Sequence, residues 1–118
     1  MAKFRFEDLE IWKLAIEIAN ELFDIADELA AKHLYSFAEQ LRNSGMSMCN
    51  NISEGSGSYS NKEFAYFLNI ARRSTFECAN ILVILLMRNL ISLDKKEKLY
   101  DELSIESRKI SSFRNTII

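Results

Sequence analysis

Proline is absent from the 118 residues, and glycine occurs only three times. β-Rich folds need turn residues at short intervals, so this scarcity points to an all-helical chain. Histidine occurs once, at His33, and cysteine twice, at Cys49 and Cys78. No CxxC, HExxH or Cys/His cluster can be assembled from them, so no metal site is expected. Both cysteines fall in apolar helical stretches and read as small buried hydrophobes in a reducing compartment. An excess of positive charge is missing too. A formal net charge of −2 and a pI near 5.5 argue against nucleic-acid binding driven by bulk charge, and leave room only for a local basic patch.

Long hydrophobic runs are also lacking. The longest, Ile81–Met87, is far short of the ~18–20 residues of a membrane span. Met1–Trp12 has neither the apolar core nor the small-residue cleavage site of a signal peptide. We expect a cytoplasmic protein without membrane association, one domain over residues 1–118 with a single core.

What the chain does have is helical periodicity. A first helix is expected over about 7–30. Leu9, Trp12, Ile16, Ala19, Phe23 and Ala26 form one seam, and Ile11, Ala15, Ile18, Leu22, Ile25 and Leu29 a second beside it. A second helix, about 34–54, carries Leu34, Ala38, Leu41, Gly45, Met48 and Ile52. Gly45 on that seam marks a close helix–helix approach. The same helix is rich in amides and hydroxyls (Gln40, Asn43, Ser44, Ser47, Asn50, Asn51), suited to hydrogen bonds across a bundle or to a partner. A third, about 61–89, is roughly 43 Å long at ~1.5 Å per residue. A fourth, about 95–114, has Asp94 as N-cap and a seam of Leu99, Leu103, Ile110 and Phe113 interrupted by Glu106.

The reversal between the second and third helices is the most explicit local signal. Gly55 is expected as a left-handed C′ residue after Glu54. Ser60-Asn61-Lys62-Glu63 reads as a capping box, with Tyr59 and Phe64 at the staple positions.

Short connections between four amphipathic helices predict an up-down-up-down antiparallel four-helix bundle. The apolar faces are wider than one core needs, and the second half of the third helix is apolar nearly all round. Both point to a homo-oligomer, with Ile11, Ile18, Ile25, Ile81 and Ile84 as interface residues.

Several segments, taken together, resemble a known family: Gln40-Leu41-Arg42, Ser47–Gly55, Ser60–Phe64, Phe67–Glu77 and the opening Phe6–Lys13. The chain is similar to the four-helix-bundle proteins of 23S rRNA intervening sequences, the S23 ribosomal protein family. The resemblance spans essentially the whole chain and implies a ring, commonly a pentamer. A related branch serves diversity-generating retroelements and is basic, associating with RNA and a reverse transcriptase. This chain departs from that branch in its acidic balance. It also has Cys49 where relatives often carry proline, and Asn43-Ser44 where they tend to be basic.

Catalysis is not expected. No phosphate loop, Ser/His/Asp set, Cys/His set or Glu-x-x-His pair is present, and the residues five to seven positions before His33 (Glu28, Asp27, Ala26) exclude an Arg-x4–6-His motif. No cofactor or small-molecule substrate is implied. Glu54, Glu63 and Glu77 read as structural carboxylates. A nucleic-acid face is the more specific possibility: Lys62 and Arg73 are three helical turns apart, Asn69 extends their stripe, Arg72 lies beside it, and Arg42 approaches from the second helix. A solvated face with salt bridges explains the same residues. The expected partners are therefore the chain itself and either RNA or, as the alternative, a nearby-encoded protein for which the bundle is a scaffold.

Overall fold

The computed structural model describes residues Met1–Ile118. A 3-10 turn at Arg5–Asp8 precedes four helices: α1 Glu10–Ala31, α2 Tyr35–Ser56, α3 Asn61–Met87 and α4 Leu93–Ile117. Cross-links between neighbours fix their directions. Asp27 of α1 pairs with Arg42 of α2 at 2.7 Å, while Ala19 and Phe23 lie against Gly45. Between α2 and α3, Ser44 donates to Glu77, Ser47 bonds Ser74 at 2.8 Å, and Gly55 faces Phe64 and Phe67. The ring of Phe64 meets that of Phe113 edge-on, with centroids 5.6 Å apart, and the Arg114 guanidinium donates to the Ala65 carbonyl at 3.0 Å. Lys98 of α4 pairs with Glu21 of α1. From α1 to α2 and from α2 to α3 the numbers rise on one helix as they fall on the other. The same holds for α4: Phe64 meets Phe113 while Phe76 and Ala79 share a pocket with Tyr100 and Leu103, and Glu21 pairs with Lys98 while Glu10 and Ile11 share a groove with Lys109 and Phe113, so the bundle runs up-down-up-down.

The core is one continuous apolar column. Ile18, Leu22 and Ile25 meet Leu41, Met48 and Ile52, Leu68, Leu82 and Leu85, and Leu99, Leu103 and Ile110. Fully burying such a side chain contributes about 1.5–3 kcal/mol each. This placement corrects the expectation that Ile11, Ile18, Ile25 and Ile81 face another subunit. All four are at most 5% exposed within the one chain. A bundle helix touches two neighbours, so the second seam of α1 is buried between α2 and α4, while Leu9, Trp12, Ile16 and Phe23 of the first are partly buried against the core. Of the five expected interface residues only Ile84, 38% exposed, stays open.

Helix ends differ from the sequence reading where tertiary contacts set them. The first helix starts at Glu10, because Arg5–Asp8 forms a separate 3-10 turn with the Phe4 N–H donating to Glu7 at 2.8 Å. Phe6 packs on Trp12 with ring centroids 4.9 Å apart, which folds this segment onto the bundle. Gly55 is not a left-handed cap. It is buried inside α2, which continues to Ser56, and no glycine has positive φ. The left-handed positions belong instead to His33 (φ 63°) and Asn89 (φ 59°). Each follows a helix in a Schellman arrangement, with Leu34 N–H donating to Leu29 O at 2.9 Å and Leu90 N–H to Leu85 O at 2.8 Å. Ser60 accepts the Glu63 N–H at 3.1 Å as expected, but Tyr59 is fully exposed, so no staple forms. Ser92, not Asp94, caps α4, accepting the Lys95 N–H at 3.1 Å, because the helix starts earlier at Leu93.

Candidate nucleic-acid interface

The outward face of α3 carries an unbroken exposed stripe: Lys62, Tyr66, Asn69, Arg73, Phe76 and Asn80. The spacing of four, three, four, three and four holds them on one side of the helix. They stay outside because the opposite positions, Phe64, Leu68, Ala71, Thr75, Cys78 and Leu82, take the core. Lys62, Asn69 and Arg73 are thus brought together as the spacing predicts. Neither Lys62 nor Arg73 has a carboxylate within ion-pair distance.

Arg72 borders the stripe. It is half-buried, its guanidinium carbon lies 5.0 Å from the centroid of the Phe76 ring, and its Nε is buried without an acceptor. Stacking on the ring uses the face of the guanidinium and leaves its edge donors for a ligand. Arg42 is not part of this group. The turn of α2 aims it at Asp27 on α1, away from α3. Two residues on the stripe escaped the sequence reading, Tyr66 at 63% and Phe76 at 57% exposure. Their signal was available as the same three–four spacing that links Lys62 to Arg73.

Of the polar residues of α2, Ser44, Ser47 and Asn51 are spent inside the bundle, while Gln40, Asn43 and Asn50 are exposed. Ser44 and Ser74 are buried, and the Asn51 amide donates to the Ser47 carbonyl at 2.8 Å, completing a seam with Glu77 between α2 and α3. Glu77 therefore takes a serine hydroxyl rather than an arginine, and Glu54 is exposed without an ion pair. Each buried hydroxyl on this seam has an acceptor, which burial requires.

One buried group has none. Glu106 is fully buried on α4 and neither carboxylate oxygen has a hydrogen-bond partner. Burial pushes its carboxyl up to about 8, against a smaller pull downward from Lys109. Cys49 and Cys78 are free and buried, and desolvation pushes both thiols up to about 12. No group of three or more His, Cys, Asp or Glu side chains is placed to hold a metal ion, and no helix is long and apolar enough to cross a membrane. Nothing in the bundle assembles a catalytic constellation.

The shape has a relative among solved structures. A crystal structure of a protein of unknown function from the S23 ribosomal protein family of Bacteroides thetaiotaomicron superposes with a TM-score of 0.83 over 88% of this chain and 97% of that one, at 21% identity. At that identity the likeness concerns the fold alone. No curated protein matches the chain. The model of the family described as 23S rRNA-intervening sequence protein matches residues 7–112. That match takes in all of α1, α2 and α3 and most of α4, and the chain belongs to the 23S rRNA-intervening sequence protein family.

Proposed function

We propose that this protein is a non-enzymatic, homo-oligomeric bundle of the cytoplasm that associates with RNA through the outer face of α3. The observation that carries the reading is the exposed stripe in which Lys62 and Arg73 have no carboxylate partner and Asn69 lies between them. Unpaired Lys and Arg favour phosphate, and amides serve polar contacts to bases and sugars. A chain of net charge −2 gains little from its bulk field, so repetition of the patch supplies what a single copy lacks. The assembly is a ring, five-membered if it follows the family. Several copies of a weak site on one ring raise avidity by orders of magnitude.

The apolar outward surface of the second half of α3 supports self-association. Ile84 is 38% and Met87 76% exposed there, beside half-buried Val83. Such a patch on a soluble protein marks a contact.

Native mass spectrometry of the protein purified without nuclease tests both parts. A multimeric mass carrying heterogeneous nucleic acid supports the reading. A clean multimer that pulls down one polypeptide resistant to nuclease and high salt would replace it with a protein-binding scaffold. Lys62→Glu combined with Arg73→Glu should abolish RNA retention, and unchanged retention would move the site off this stripe.

A further inference from the structure

We propose that the nucleic acid taken by this face is single-stranded RNA, and that Tyr66 and Phe76 are its base-stacking platforms. The proposal rests on the RNA reading above and assigns the form of the strand and the residues that grip it.

Tyr66 and Phe76 are among the most exposed large aromatic side chains of the helices, at 63% and 57%. They belong to one stripe, ten positions apart, with Asn69 and Arg73 between them. At ~1.5 Å per residue the two rings are separated by about 15 Å along the helix. At the ~3.4 Å axial rise per nucleotide of a stacked strand, that interval holds about four nucleotides. Each platform therefore addresses its own base, with Arg73 placed to meet the phosphates between them and Asn69 a base edge or sugar. Both rings are braced from the side. Tyr66 packs against Phe67 at a centroid distance of 5.6 Å and an interplanar angle of 80°, and Phe76 carries the Arg72 guanidinium 5.0 Å from its centroid. The guanidinium occupies one side of Phe76 and adds a cation next to the base that would stack on the other.

Three arguments select an unpaired strand. A duplex hides the faces of its bases, so exposed aromatics gain nothing from it, whereas every unpaired base offers a π-face. Duplex binding is driven by many phosphate contacts, and the stripe with its border offers only Lys62, Arg72 and Arg73 on a chain of net charge −2. A protein-binding surface of the same area would place its apolar residues side by side. Along the stripe itself Asn69 and Arg73 separate Tyr66 from Phe76, and the apolar neighbours lie to its sides, Phe67 beside Tyr66 and Ala79, Tyr100 and Leu103 beside Phe76.

The test uses the intact assembly and a fluorescein-labelled twelve-nucleotide RNA, alone and annealed to its complement, titrated at several salt concentrations. Binding of the single strand should be at least ten-fold tighter than binding of the duplex. Tyr66→Ala and Phe76→Ala should each weaken single-strand binding on the order of ten-fold with the salt slope unchanged. Tyr66→Phe should retain affinity, and Lys62→Glu should flatten the salt slope instead. Both aromatics are exposed, and thermal melting by circular dichroism checks that the variants stay folded. Undiminished single-strand binding by the Tyr66→Ala, Phe76→Ala double variant would overturn the stacking proposal and leave the RNA reading intact. A drop in assembly mass for that variant would overturn it too, by making the rings subunit contacts. Absence of binding to either RNA form at low salt would remove the RNA reading itself.

Discussion

A methyl group on Gly55 would lie 2.7 Å from the Cβ of Phe67 and 2.9 Å from Cδ1 of Phe64. The first of these atoms is anchored to the α3 backbone, so a rotamer change cannot clear it. Gly55→Ala should destabilise the protein by about 1–3 kcal/mol through overpacking. This holds although alanine improves helix propensity by ~1 kcal/mol. At Gly45 the nearest atom is the Cε1 of Phe23 at 3.3 Å, the edge of a half-buried ring able to shift. Gly45→Ala should therefore stay within about 1 kcal/mol of the parent, because propensity offsets the squeeze. Urea denaturation of both variants measures the contrast. Equal stabilities would mean that α2 and α3 are free to separate at Gly55.

Glu106 makes stability depend on pH in a direction opposite to that of a salt-bridged acid. Its folded carboxyl is pushed up to about 8 from an ordinary 4.5. Between those values the folded chain holds a proton that the unfolded chain releases. Stability is then fully present below pH ~4.5 and lost as pH rises, at up to ~1.4 kcal/mol per pH unit, until the folded group ionises. The charged neighbour on its own helix is Lys109, and Cys49 on α2 feels the carboxylate in turn. Glu106→Gln should flatten this slope, and Glu106→Leu should raise the denaturant midpoint at pH 8. Parallel pH profiles for the parent and Glu106→Gln would show that water reaches the carboxyl.

The two thiols should be inert while the bundle is folded. Burial raises Cys49 and Cys78 to about 12, with Glu106 adding to the first and Glu77 to the second. At pH 8 almost no thiolate is available to react. A chromogenic disulfide reagent should modify neither in native buffer and both in denaturant. Rapid native reaction would mean that the core around Cys49 opens.

Much of the bundle is written in local patterns. The seams of α2, α3 and α4, the Ser60 cap and the close approach at Gly45 all follow from spacing and side-chain size. What was not legible depends on neighbours distant in sequence. Gly55 has the same composition signal whether it turns the chain or lets Phe67 approach, and only the packing of α3 decides. His33 and Asn89 adopt left-handed backbone without a glycine to announce it. The second seam of α1 resembles surplus surface until α2 and α4 close over it. On the candidate site, cations were visible because charge is presumed to be outside. Tyr66 and Phe76 were not, because an aromatic residue on a long helix is more often core, and only their exposure reverses that reading.

The proposed self-association is separable from folding at the end of α3. Ile84 and Met87 project outward, while Leu82 and Leu85 on the other side are fully buried. Charges introduced at the outward pair should therefore leave the core intact. Ile84→Glu with Met87→Lys should melt within a few degrees of the parent, since exposed substitutions usually change stability by no more than about 0.5 kcal/mol. Its mass by sedimentation velocity should fall to that of one chain, because a desolvated charge opposes closure of an apolar contact. An assembly that survives the double change would shift the contact to another surface, of which the groove of Leu9, Ile105 and Phe113 between α1 and α4 is next. A parent protein that already sediments as one chain would leave each RNA site to act alone, and single-strand affinity would then rest on Tyr66, Arg73 and Phe76 without help from repetition.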